Sequence, residues 1–112
     1  MKQYIKVKIN GGKVTHLKVE TYYSLGGMNY FNYKTERRGY YLSVVPVERM
    51  DKGGYIMEGY VMCSGIKDCI KEVQRKSKKA ETEAEKLATE RMKDLIEYVL
   101  NHNGLELEET IA

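Results

Sequence analysis

The sequence predicts an α+β fold: an antiparallel meander sheet of about five strands over residues 2–63, then a helical segment over 65–102 packed on one face. Three observations carry this. Gly-Gly pairs at 11–12, 26–27 and 53–54 separate β-rich runs, and glycine supplies the positive φ that tight hairpin turns need. After Ser64 the apolar period changes from two to three and four, the mark of a helix with one apolar stripe. All strands precede the helix, so sheet and helix form two layers of one domain spanning 1–112.

Taken in order, Tyr4 to Ile9 alternates, with Ile5, Val7 and Ile9 on one face and Lys6 and Lys8 on the other. Val14 to Ser24 puts Leu17, Val19, Thr21 and Tyr23 on one side and His16, Lys18, Glu20 and Tyr22 on the opposite side. Asn29 to Tyr33 reads as a short aromatic strand, followed by a turn at Thr35–Gly39 with two exposed arginines. Tyr40 to Val47 is the most apolar run and the expected central strand. Pro46 cannot donate to a ladder, so it marks a strand end, an edge or a bulge. Tyr55 to Cys63 is the last strand expected. Ser64 is the candidate N-cap of the helix and Gly104 its candidate stop. Either one helix runs over 65–102, or it breaks near Lys76-Ser77, where Ser77 caps a second; the break is preferred because so long a helix is rare in so small a domain. The acidic tail, 105–112, reads as a short flanking strand or a frayed end.

Composition limits the function classes. The chain has 112 residues, 42% hydrophobic and 31% charged, ordinary for a globular protein. No apolar run reaches the roughly 18–20 residues that span a bilayer, and the first residues build no signal-peptide block, so a cytoplasmic protein without membrane contact is expected. Cys63 and Cys69 read as free thiols, and His16 and His102 have no partners at ligand spacing. No metal and no cofactor are expected. A nucleophile elbow and a phosphate-binding glycine loop are missing too, so the expected function is binding, not catalysis.

Charge and aromatic residues are unevenly distributed. Net charge is +3, but residues 1–62 hold ten Lys/Arg against five Asp/Glu, and residues 63–112 nine against eleven. Nine of ten tyrosines fall between Tyr4 and Tyr60. Period two sends neighbours such as Tyr22 and Tyr23 to opposite faces, so about half should line the helix-free face. The candidate binding residues are Tyr22, Tyr30, Tyr33, Lys34, Arg37, Arg38, Tyr40 and Arg49 on the sheet, with Arg75, Lys76, Lys78 and Lys79 beside the helix. Aromatic rings on an open basic sheet can stack unpaired bases while cations track phosphate. The plainer reading is that tyrosine simply fills cross-strand pairs. A third is a protein interface, where Tyr and Arg are also enriched.

Three resemblances add context. Arg75-Lys76-Ser77-Lys78-Lys79-Ala80-Glu81 is similar over about a dozen residues to the last helix of double-stranded-RNA-binding domains, but that family's leading helix has no counterpart, and its function is not carried over. The stretches Tyr22-Tyr23-Ser24-Leu25-Gly26-Gly27-Met28-Asn29-Tyr30-Phe31 and Arg38-Gly39-Tyr40-Tyr41-Leu42-Ser43-Val44-Val45-Pro46-Val47, with Ser77-Lys78-Lys79-Ala80, resemble small proteins carried by phages and conjugative elements of Gram-positive gut bacteria. That resemblance implies a binding protein of a mobile element, holding nucleic acid or a host protein. The strand-then-helix order also looks like the whirly-type single-stranded-DNA-binding architecture, with one strand more. The leading expectation is a nucleic-acid-binding protein that favours single strands. The alternative is a protein-interaction module, either an inhibitor of a host defence protein or a homodimer through a strand edge.

Overall fold

The computed structural model describes residues 1–9, 11–28, 34–56 and 63–108. Its elements are β1 (Lys2–Lys6), β2 (His16–Ser24), β3 (Gly27–Met28), β4 (Lys34–Glu36), β5 (Gly39–Arg49), β6 (Tyr55–Ile56), β7 (Ile66–Glu72) and α1 (Lys78–Asn103). The fold is α+β. Its sheet is antiparallel in the order β1-β2-β5-β7, and the two-residue β6 pairs with the far end of β5. A separate ribbon joins β3 to β4. The expected strands at 29–33 and over most of 57–63 lie outside the described residues.

The main correction concerns residues 66–72, expected to be helical. They form β7, paired antiparallel with β5 from Gly39↔Glu72 to Val44↔Ile66. Ser64 therefore caps no helix. The break near Lys76-Ser77 is real, but it divides strand from helix. Ser77 caps α1, its Oγ accepting from Ala80 N at 3.0 Å. Gly104 ends the helix in the left-handed region, φ 64°, where glycine has no Cβ penalty. Beyond it, Leu107 bridges Val7, so the described part of the tail, 105–108, flanks the sheet.

Pro46 is a second correction, because it sits inside the central strand opposite Leu17. Val47 O accepts from Thr15 N on the β2 side. By strand alternation, residue 46 faces the other way. On that side β7 pairing stops at Val44 and β6 pairing starts at Glu48, so the absent N–H interrupts no ladder bond.

The core lies between α1 and one face of the sheet. Leu17, Val19, Tyr40, Leu42, Val44 and Ile70 meet Ala80, Ala84, Ala88, Ile96 and Val99. The three alanines let the first half of the helix approach the strands closely, and the larger residues fill the space further along. No helix among the described residues is long and apolar enough to cross a membrane. Cys63 and Cys69 are free thiols.

Candidate functional site

The helix-free face was expected to be bare, and it is not. Lys18, Ser24, Tyr41, Ser43, Val45 and Val47 project there, and all are buried. Tyr22 stacks on Tyr41 across the β2–β5 pair, with ring centroids 5.7 Å apart, and Tyr41 Oη donates to Arg37 O at 2.7 Å. Burial, first among the causes, pushes both phenols above their ordinary pKa. Tyr40 is a further correction. It shares the parity of Leu42 and Val44, so it lies in the core at 6% exposure, edge-on to Tyr23 at 5.1 Å.

Charged side chains on this face are paired. Lys18 Nζ lies 3.3 Å from Glu20 Oε1, and Lys67 Nζ lies 2.9 Å from Glu36 Oε1. Ser24 Oγ donates to the other Glu36 oxygen. The Ser24 hydroxyl and then Lys67 hold the Glu36 carboxyl below its ordinary range, and Glu36 in turn raises Lys67. Sequence reasoning misses this cluster because the spacing around Lys67 reads as helical.

The cations gather elsewhere, at one end of the sheet. Gly39 opens β5 opposite both Ser24, the last residue of β2, and Glu72, the last of β7. That register brings the 37–38 turn beside the connection from β7 to α1. Arg38 spans the two: its Nε donates to Leu25 O at 3.1 Å and its Nη1 to Gln74 O at 3.4 Å. Arg37 reaches Glu72 only at 3.6 Å, with both side chains largely exposed. Lys76 Nζ sits 5.4 Å from the Tyr23 ring centroid, within cation–π range. Arg75, Lys78 and Lys79 are exposed and make no ion pair with a described residue. Tyr23, Leu25, Gln74, Arg75 and Lys76 line a shallow groove of about 460 Å³, with Leu25 71% exposed on its wall. The positive end of the helix dipole adds to the field, and Glu81 in the first turn subtracts from it.

Of the expected site residues, Arg37, Arg38, Arg75, Lys76, Lys78 and Lys79 thus share one end, and Tyr22 lies one residue from its rim. Arg49 does not belong there. It ends β5, ten residues on from Gly39, about 33 Å away at ~3.3 Å per residue. It neighbours His16, whose pKa is lowered by burial, then by Arg49 and Lys6. Lys34 lies on β4 by its backbone, while Tyr30 and Tyr33 lie outside the described residues. No three His, Cys, Asp or Glu among the described residues gather to hold a metal ion. No family model, curated protein or solved structure matches the chain.

Proposed function

We propose that this chain is a non-enzymatic nucleic-acid-binding protein, of the kind mobile elements carry, and that its contact surface is the cationic end of the sheet. One observation carries the reading. Six Lys/Arg side chains from two separate chain segments, 37–38 and 75–79, converge there, and among the described residues only Arg37 of the six has an acidic partner. Exposed, unneutralised cations release condensed counterions when they meet phosphate, and this term dominates nucleic-acid affinity. The Leu25–Tyr23 groove between them offers apolar surface to a base displaced from its stack, which supports the single-strand preference.

The test is fluorescence anisotropy with a random single-stranded oligonucleotide across a salt series. Six phosphate contacts at ~0.7 each give a log–log slope near −4, so affinity drops roughly 250-fold between about 50 and 200 mM salt. Arg37→Ala/Arg38→Ala should flatten the slope by about 1.4, and Arg49→Ala should leave it unchanged. Absence of binding at low salt, or a slope that ignores these cations, overturns the proposal. A stoichiometric protein complex that survives moderate salt and contains no nucleic acid would favour the interaction-module reading instead.

A further inference from the structure

The helix-free face carries a second feature, independent of the cationic end. Across three strands the register aligns Glu20 on β2, Ser43 on β5 and Lys67 on β7 in a single row. A carboxylate, a hydroxyl and an ammonium thus stand side by side. The row before it is Lys18↔Val45, and the row after it is Tyr22↔Tyr41↔Cys69. Ser43 is the smallest side chain of its row, so the middle of the sheet dips between taller neighbours. Gly65 keeps β7 close alongside: a Cβ there would stand 2.7 Å from Val44 O. The result is a cavity of about 350 Å³ lined by Lys18, Glu20, Tyr22, Ser43, Gly65 and Lys67, among others.

Its size falls at the low end for small-molecule sites, roughly 300–1,000 Å³. At ~30 Å³ per water it has room for about a dozen non-hydrogen atoms. Ser43 is 5% exposed, and its hydroxyl makes no hydrogen bond with a described residue. Each of the two ion pairs, Lys18–Glu20 and Lys67–Glu36, is neutral overall. A simple anion or cation therefore gains little here. The Glu20 carboxylate and the Lys67 ammonium each have capacity beyond one ion pair, since a carboxylate has about four acceptor sites and an ammonium three donors. Such a cavity suits a molecule that is neutral overall and charged at both ends.

We infer that the Glu20–Ser43–Lys67 row is a binding site for a small zwitterion of amino-acid size. The ligand's ammonium faces Glu20, and its carboxylate faces Lys67 and the Ser43 hydroxyl. The side chain or methylene body lies toward Tyr22 and Val45.

The experiment is a two-dimensional amide NMR titration of the full chain with the free α-amino acids, β-alanine and γ-aminobutyrate, each at up to about 10 mM. The matching amines and carboxylic acids serve as controls. The expected result is saturable binding of at least one zwitterion, with shifts centred on Glu20, Ser43 and Lys67 and much weaker effects of the one-charge controls. Ser43→Ala should weaken that binding about five- to tenfold, the share of one hydrogen bond, without unfolding the chain. Ser43→Val, which fills the dip, should abolish it and leave oligonucleotide affinity unchanged. No binding by any zwitterion, equal binding of the one-charge controls, shifts mapping elsewhere, or binding indifferent to both Ser43 variants would each overturn the assignment. Since nucleic-acid affinity is measured separately, loss of either reading leaves the other standing.

Discussion

Among the described glycines, Gly39 is the one whose added Cβ would meet its neighbours most closely. Its φ is 155°, a region that side chains rarely adopt. A Cβ there would run into the Lys71 carbonyl oxygen and stand 2.9 Å from Glu72 Cα. These are backbone atoms of the neighbouring strand, so no side chain can rotate out of the way. For Gly39→Ala, the φ strain costs about 2 kcal/mol and the forced displacement of β7 about 2 more, while the stiffer unfolded chain returns roughly 0.7. The net loss is about 3 kcal/mol. For a domain of this length that lowers Tm by about 12 °C. Gly53→Ala is the matched control, because Gly53 has φ 90° and a methyl group added there would meet nothing within 4 Å. It carries the strain without the collision and should lose about 1 kcal/mol. Urea and thermal unfolding of both variants measure the difference. Equal losses for the two would refute the claim that β7 closes tightly on the start of β5.

Three other outcomes are expected. Ser77→Ala removes the acceptor for Ala80 N and should cost about 1 kcal/mol, read by urea unfolding followed at the helix band. Glu36 has a folded pKa below its ordinary value of 4.5, so its stabilising contribution is complete above that pH and is lost as pH falls through the lower folded value. A comparison of wild type with Glu36→Gln should show an advantage of roughly 1–2 kcal/mol at neutral pH that vanishes on acidification. Paired substitution Arg75→Ala/Lys76→Ala should reduce the oligonucleotide salt slope by about 1.4, as expected for two phosphate contacts, while leaving Tm nearly unchanged, since both side chains are exposed.

Much of the sheet is legible in the sequence because β2 obeys period two without a fault. Leu17, Val19, Thr21 and Tyr23 face the helix, and Lys18, Glu20 and Tyr22 face away, as the alternation requires. The Gly53-Gly54 turn and the Ser77 and Gly104 caps are equally readable. β7 is not, and the reason is local. Pairing slips between Tyr40 and Tyr41, with Lys71 opposite one and Cys69 opposite the other. The extra residue, Ile70, joins Ile66 on the core side four positions away, which imitates a helical spacing. Losing β7 also hides the cationic end, since only its pairing with β5 carries residues 75–79 to Arg37 and Arg38. Tyr40 needs no structure: its parity with Leu42 and Val44 already sends it inward.

Asn103, at the last turn of α1, has a consequence beyond its place in the helix. Its amide nitrogen donates to Ser64 O at 2.7 Å and to Val99 O at 2.9 Å, while its side-chain oxygen accepts from Ser64 N at 3.0 Å. One side chain thereby fastens the residues just ahead of β7 to the end of the helix that follows it. Strand and helix become a closed loop that cannot fray from either terminus independently. Amide hydrogens of 66–72 and of the helix's final turns should then exchange in a single cooperative opening, and Asn103→Ala should split that event into two.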